Sequence, residues 1–192
     1  MNVAAILLAA GSAKRFGSDK LQHPLPHGVP IAIQSARHLR AVFERVTVVV
    51  RPEAAALSAL FAREGCEVVP CESASEGMGA SLACGVRAAG EMAGYLIALA
   101  DMPFIRASTI EAVRDALAAG APLVAPYFRA RRGHPVGIGG KYRRELEALR
   151  GDEGARNLLA AEGATLLKIP VGDPGVIRDI DAPGDLAPPI VV

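Results

Sequence analysis

VAAILLAAGSAKRFGSDK, residues 3–20, is an apolar run that stops at a loop carrying two glycines, two serines and three cations. The run, residues 3–9, has the length and composition of a buried strand. Similar runs rich in Val, Ile and Leu recur at 46–50 (VTVVV), 66–69, 95–100 (YLIALA), 122–126, 136–139, 165–169 and 176–180. Between them lie segments of helical character at 30–43, 53–64, 79–92, 107–119, 141–149 and 153–162. This alternation predicts an α/β layer fold with a mainly parallel sheet. In the 107–119 helix Ser108 or Thr109 is expected to cap the start, Glu111 falls in the first turn, and Gly120 stops it. Ligands of such sheets bind beyond the carboxyl ends of the strands, which directs attention to Gly11–Lys20 and to Asp101, Met102 and Pro103.

With 192 residues the chain suits one domain, and no repeat, low-complexity tract or long linker divides it, so 1–192 is expected to fold as a unit. The net charge of +1 excludes a broad basic field, so no nucleic-acid partner is expected and anion recognition must be local. No apolar run approaches the roughly 18 residues of a membrane span, and no basic segment precedes the first strand as in a signal peptide. Cys66, Cys71 and Cys84 make neither an even set nor a C-x-x-C pair. These features predict a cytoplasmic protein with reduced thiols, each a small buried residue.

Several short stretches carry chemistry. In AAGSAKRFGSDK, Gly11 permits close backbone approach, Ser12 and Ser18 supply hydroxyls, and Arg15 and Lys20 add a forked donor and a point charge. Loop N–H groups there can form an anion nest; a solvated basic loop fits the same residues. Neither a P-loop nor G-x-G-x-x-G is present. Asp101 follows an apolar strand, and Pro103 prevents that strand from continuing, so Asp101 sits at the sheet edge as a Mg²⁺ ligand or a turn cap. Asp179, Asp181 and Asp185 cluster after the 176–180 run, where alternation puts Asp179 and Asp181 on one side; metal carboxylates and a polar turn both fit. Gly77 and Gly79 open a helix whose positions 81, 82, 85 and 86 follow a helical rhythm; its first N–H groups can read a base edge or a phosphate, and an ordinary glycine-rich helix entry fits equally well. His134, before Pro135, is held extended, and Gly133 gives room for a ligand nearby; a structural histidine fits the same residues. His23 and His27 are separated by Pro24 and Pro26 and make no helical zinc pair.

Taken in order, LAAGSAKRFGSDKL, EGMGASLACGV, ALADMPF, GHPVGI, LRGDEGARNLL and IRDIDAPGDL resemble the MobA-like NTP transferase family, in the branch that contains molybdenum cofactor cytidylyltransferase. The resemblance covers nearly the whole chain. It implies a three-layer α/β/α, Rossmann-like (GT-A-like) fold. It also implies transfer of CMP from CTP, with Mg²⁺, to the terminal phosphate of molybdenum-bound molybdopterin, with release of pyrophosphate. Ala9, Ala10, Gly11, Ser12, Arg15 and Lys20 would hold the triphosphate. Gly77, Gly79 and Ser81 would face base and ribose, Asp101 and Asp181 would bind the metal, and His134 would lie on the acceptor side. Arg15, Lys20 and Asp101 would carry catalysis.

The chemistry of the residues agrees with such a reaction. A phosphate acceptor is already anionic at neutral pH, so transfer requires charge neutralisation and in-line positioning rather than a general base. GTP as donor, another phosphorylated acceptor, and a non-catalytic cofactor chaperone that delivers to a molybdoenzyme are the alternatives. LAAG in place of LAGG favours a pyrimidine donor, and QHPLPHG departs from the family's shorter turn after Lys20.

Overall fold

The computed structural model describes residues 2–11, 20–152, 154–161 and 165–187. Ser12 and Arg15 lie outside them. The chain runs β1 (Val3–Leu8), α1 (Ile31–Arg40), β2 (Val46–Val50), α2 (Ala55–Arg63), β3 (Glu67–Pro70), α3 (Met78–Ala89), β4 (Gly94–Leu99) and α4 (Ala107–Ala118). It continues with β5 (Leu123–Phe128), β6 (Arg131–Arg132), β7 (Val136–Gly139), α5 (Arg143–Glu147), α6 (Arg156–Ala161) and β8 (Leu166–Pro170).

Among the described residues eight strands join one sheet in the order β3-β2-β1-β4-β7-β5, with β6 and β8 both paired to β5. β1, β2, β3 and β4 are mutually parallel, β8 is parallel to β5, and β7 runs antiparallel between β4 and β5. Alternate residues of β1 divide the core. Ala5 and Leu7 pack with α1, α2 and α4 through Leu39, Phe61 and Val113. Ile6 and Leu8 pack on the other face with α3, α5 and α6 through Leu82, Leu146 and Leu159. This is the expected three-layer, GT-A-like arrangement. Every residue of β2 is buried, as two covered faces require. The chain leaves β1 toward β2 and β3, then crosses back to β4 on the other side of β1. That reversal opens a crevice at the carboxyl ends of β1 and β4.

Most expected elements are present within a few residues of their predicted bounds. The 176–180 run is the exception: Pro174–Ile177 forms a 3-10 turn and Arg178–Ile180 is irregular. Pro174 has no N–H for a ladder, and the Asp173 carboxylate takes the Gly175 N–H at 3.0 Å, which closes a turn instead of extending the chain. Ile180 is nonetheless fully buried, packed with Leu25 and Ile31. Helix 141–149 is a 3-10 turn at Gly140–Tyr142 followed by the short α5. The cap of α4 also differs from expectation. The helix begins at Ala107, so Glu111 lies beyond its first turn. Its cap is supplied from elsewhere in the chain, by Asp173, to which the Arg106 N–H (2.9 Å) and the Thr109 hydroxyl (2.7 Å) donate. Gly120, at φ +93°, ends the helix as expected.

Candidate active site

A cleft of about 450 Å³ lies along the carboxyl edge of the sheet. Strand order fixes its sequence of walls: Ser75, Gly77, Met78 and Ser81 beyond β3, Arg51 beyond β2, Ala10, Gly11 and Lys20 beyond β1, and Asp101 beyond β4. Asp152 and Asp181 complete it from later in the chain.

The Asp101 end is the most highly charged. Lys20 Nζ donates to Asp101 Oδ2 at 2.9 Å and to Asp181 Oδ1 at 3.1 Å. Lys20 is 8 % exposed. Burial opposes its charge, but the Asp101 and Asp181 carboxylates outweigh that and raise the ammonium above its ordinary value. Burial also pushes the Asp101 carboxyl above the usual carboxylate range, against the pull of Lys20. Asp101, Asp179 and Asp181 each offer a carboxylate oxygen, and the three lie within 4.8 Å of one another. So Asp179 and Asp181 do converge, although no strand aligns them. Asp185 points elsewhere: it accepts from the Asp181 N–H (3.1 Å) and the Ala182 N–H (2.9 Å), which hold its carboxyl below the usual range. It fixes the turn that carries Asp181. The Ile180 N–H donates to the Asp101 carbonyl at 2.9 Å and locks the two acidic segments together. A hard divalent cation suits this oxygen-only donor set, and an ammonium already seated on two of the carboxylates shows that the pocket holds positive charge.

At the other end, the opening of α3 differs from a free helix N-terminus. The Gly79 N–H donates to the Gly151 carbonyl at 2.7 Å, and the Met78 N–H lies 3.4 Å from Asp152 Oδ1. These N–H groups are therefore engaged by the LRGDEGARNLL segment. A side chain at Gly77 would meet the Gly151 backbone, and its φ of +132° itself demands glycine. Gly79 is buried and outside the cleft lining; Ser81 faces the cleft and bonds the Gly77 carbonyl at 3.2 Å. Ala9 is buried too, its N–H on the Val49 carbonyl at 2.9 Å.

Arg51 was not foreseen. It follows β2 as Asp101 follows β4, so applying the carboxyl-end rule to every central strand would have found it. Its Nε donates to the Ala10 carbonyl at 2.8 Å and fixes the start of the opening loop. His134 is not among the cleft-lining residues. Its N–H donates to the Val176 carbonyl at 2.8 Å, and burial lowers its imidazole to about 4, so the ring is neutral at pH 7. Gly133 does not make room for a ligand, since Val176 fills the space where its side chain would stand. Cys66, Cys71 and Cys84 are free, and burial raises Cys84 to about 11, which makes it a poor nucleophile.

Strand order, a charged cleft at the sheet switch point and a paired lysine and carboxylate define a nucleotide-handling α/β domain. The chain belongs to the MobA-like NTP transferase family, whose domain matches residues 5–166. It is 31% identical over 191 residues to the purine catabolism protein PucB of Bacillus subtilis, covering 93% of this chain and 91% of that one. It is 30% identical over 189 residues to nicotine blue oxidoreductase of Paenarthrobacter nicotinovorans, covering 93% and 92%. The crystal structure of Rv0371c from Mycobacterium tuberculosis superposes with a TM-score of 0.83 at 23% identity over 96% of each chain. A manganese complex of that protein gives 0.80 at 21% identity, again over 96% of each chain. Among the described residues no helix is long and apolar enough to cross a membrane.

Proposed function

We propose that this chain, acting as one unit, is a Mg²⁺-dependent nucleotidyltransferase that transfers CMP from CTP to the phosphate of molybdenum-bound molybdopterin. The observation that carries the reading is Lys20 Nζ held between Asp101 and Asp181 at the ends of β1 and β4. Triphosphate and metal must meet at one place in this reaction, and here a cation and a carboxylate cluster share it.

Asp101 and Asp181, with Asp179 beside them, hold the metal, which offsets charge on the phosphates. Gly11, Ala10, Ser12, Arg15 and Lys20 hold the triphosphate, with Ala9 supporting the loop from beneath. An oxygen of the acceptor phosphate attacks the α-phosphorus in line. The bond to the β-phosphate bridging oxygen breaks, and its electrons leave with pyrophosphate. Lys20, whose ammonium lies beside these carboxylates, would stabilise the charge that develops on the leaving phosphates. No proton need be removed from the acceptor. His134, neutral and with its backbone N–H on the Val176 carbonyl, is assigned to the acceptor side.

The base lies toward Ser75, Gly77, Ser81 and Arg51, with Gly79 as the packing point that fixes the α3 opening. Arg51 brings only donors. Cytosine answers with two adjacent acceptors, O2 and N3, and guanine with O6 and N7, so GTP is the competing donor. A molybdoenzyme would be the recipient of the product.

The test mixes protein, Mg²⁺, each of the four triphosphates and molybdenum-loaded cofactor, and measures pyrophosphate and dinucleotide. CTP-dependent cytosine dinucleotide supports the reading. Product with GTP alone reassigns the donor, and cofactor binding without turnover favours the chaperone.

A further inference from the structure

Asp173 lies outside the cleft and is 2 % exposed, yet its carboxylate accepts three hydrogen bonds, two from a segment more than 60 residues away and one from its own turn. Oδ2 takes the Arg106 N–H at 2.9 Å and the Thr109 hydroxyl at 2.7 Å; Oδ1 takes the Gly175 N–H at 3.0 Å. The first pair belongs to the start of α4, directly after the loop bearing Asp101. The third opens the 3-10 turn that leads to Asp179 and Asp181.

Among the described residues Asp173 makes no ion pair; a buried carboxylate survives so when donors surround it and a helix N-terminus lies against it. This one uses that arrangement to join the two arms of the acidic cluster. The join is reinforced nearby. A side chain at Gly175 would collide with the Phe104 carbonyl, so the arms touch backbone to backbone. Beyond it the Ile180 N–H reaches the Asp101 carbonyl at 2.9 Å, closing a ring of contacts around the turn.

We infer that Asp173 is a positioning residue of the active site: by clasping the start of α4 to the turn before Asp179, it sets the spacing of Asp101 and Asp181. This rests on the reading of those two carboxylates as metal ligands. Asp173→Asn is a selective probe. An amide accepts on one side only, so it keeps the α4 bonds on its oxygen and turns an NH₂ toward the Gly175 N–H. The turn is freed while the helix cap remains.

The experiment measures Mn²⁺ affinity by isothermal titration, well below the melting temperature, in the wild type, Asp173→Asn, Gly175→Ala, Asp181→Asn and Leu57→Ala. Leu57 is a core residue of α2 and serves as a control for lost stability alone. Expected are a fivefold or greater loss of Mn²⁺ affinity in Asp173→Asn and Gly175→Ala, and affinity within twofold of wild type in Leu57→Ala despite its lower melting temperature. Gly175→Ala carries the test if Asp173→Asn fails to fold. Undiminished affinity in the Asp173 or Gly175 variant, with Asp181→Asn impaired, overturns this inference alone. A wild type that takes up no Mn²⁺ overturns the metal reading and this inference with it.

Discussion

Lys20 Nζ and Asp101 Oδ2 stand 2.9 Å apart although 81 residues of chain separate them. The lysine comes from the loop after β1 and the aspartate from the end of β4, and parallel pairing of β1 with β4 makes them neighbours. Such a buried pair is poor insurance for stability, because desolvation offsets much of the attraction. On the proposed reading its value lies in presenting opposite charges to a ligand.

Lys20→Met should therefore lower kcat by about 10² to 10³-fold, the loss typical of removing one charge-stabilising donor. The same change vacates the carboxylates, so Mn²⁺ should bind the nucleotide-free variant more tightly than it binds wild type. Steady-state kinetics and metal titration check the two halves separately.

Asp101→Asn should abolish turnover while the protein still melts cooperatively, since the residue lies in a turn outside the hydrophobic core clusters. Asp181→Asn, on a side chain 53 % exposed, should weaken metal binding with a smaller effect on turnover. Equal activity of Asp101→Asn and wild type would remove Asp101 from the mechanism.

His134 gives a pH signature. Its imidazole titrates near 4 in the folded chain, against about 6.5 when unfolded, so the unfolded state binds the proton more readily. The stability it contributes is present above pH 6.5 and is lost as pH falls toward 4, at about 1.4 kcal/mol per unit. Between pH 7 and pH 5 the wild type should lose about 2 kcal/mol more than His134→Asn. Chemical denaturation at the two pH values measures the difference.

Gly79→Ala should disturb the other end of the cleft. The added methyl would meet the Arg150 and Gly151 carbonyls at 2.7 and 2.9 Å, and backbone cannot yield as a flexible side chain does. A cost of about 1 to 3 kcal/mol is expected, together with a raised KM for the triphosphate at nearly unchanged kcat.

The strands were legible because branched apolar runs have few other uses, and Asp101 because a carboxylate directly after such a run must lie at the sheet edge. The 176–180 run misled because Val176 and Ile180 are buried as a strand's residues would be, while the turn is dictated by Asp173 and Pro174 just before them. The true α4 cap was invisible for a related reason: Thr109 looks like a local cap, and its partner lies 64 residues away. Arg51 escaped notice because a lone cation after a strand resembles ordinary surface until the cleft is closed around it. Gly133 and Gly79 are small for the sake of neighbours that sequence does not reveal.

The sheet of β1 to β4, with its crossing helices, is complete by residue 99, whereas the acidic cluster waits for Asp179 and Asp181. During vectorial synthesis Lys20 and Asp101 thus leave the ribosome well before Asp179 and Asp181. A product cut short before Asp173 would lack two of the three carboxylates of that cluster, however well its first half had folded.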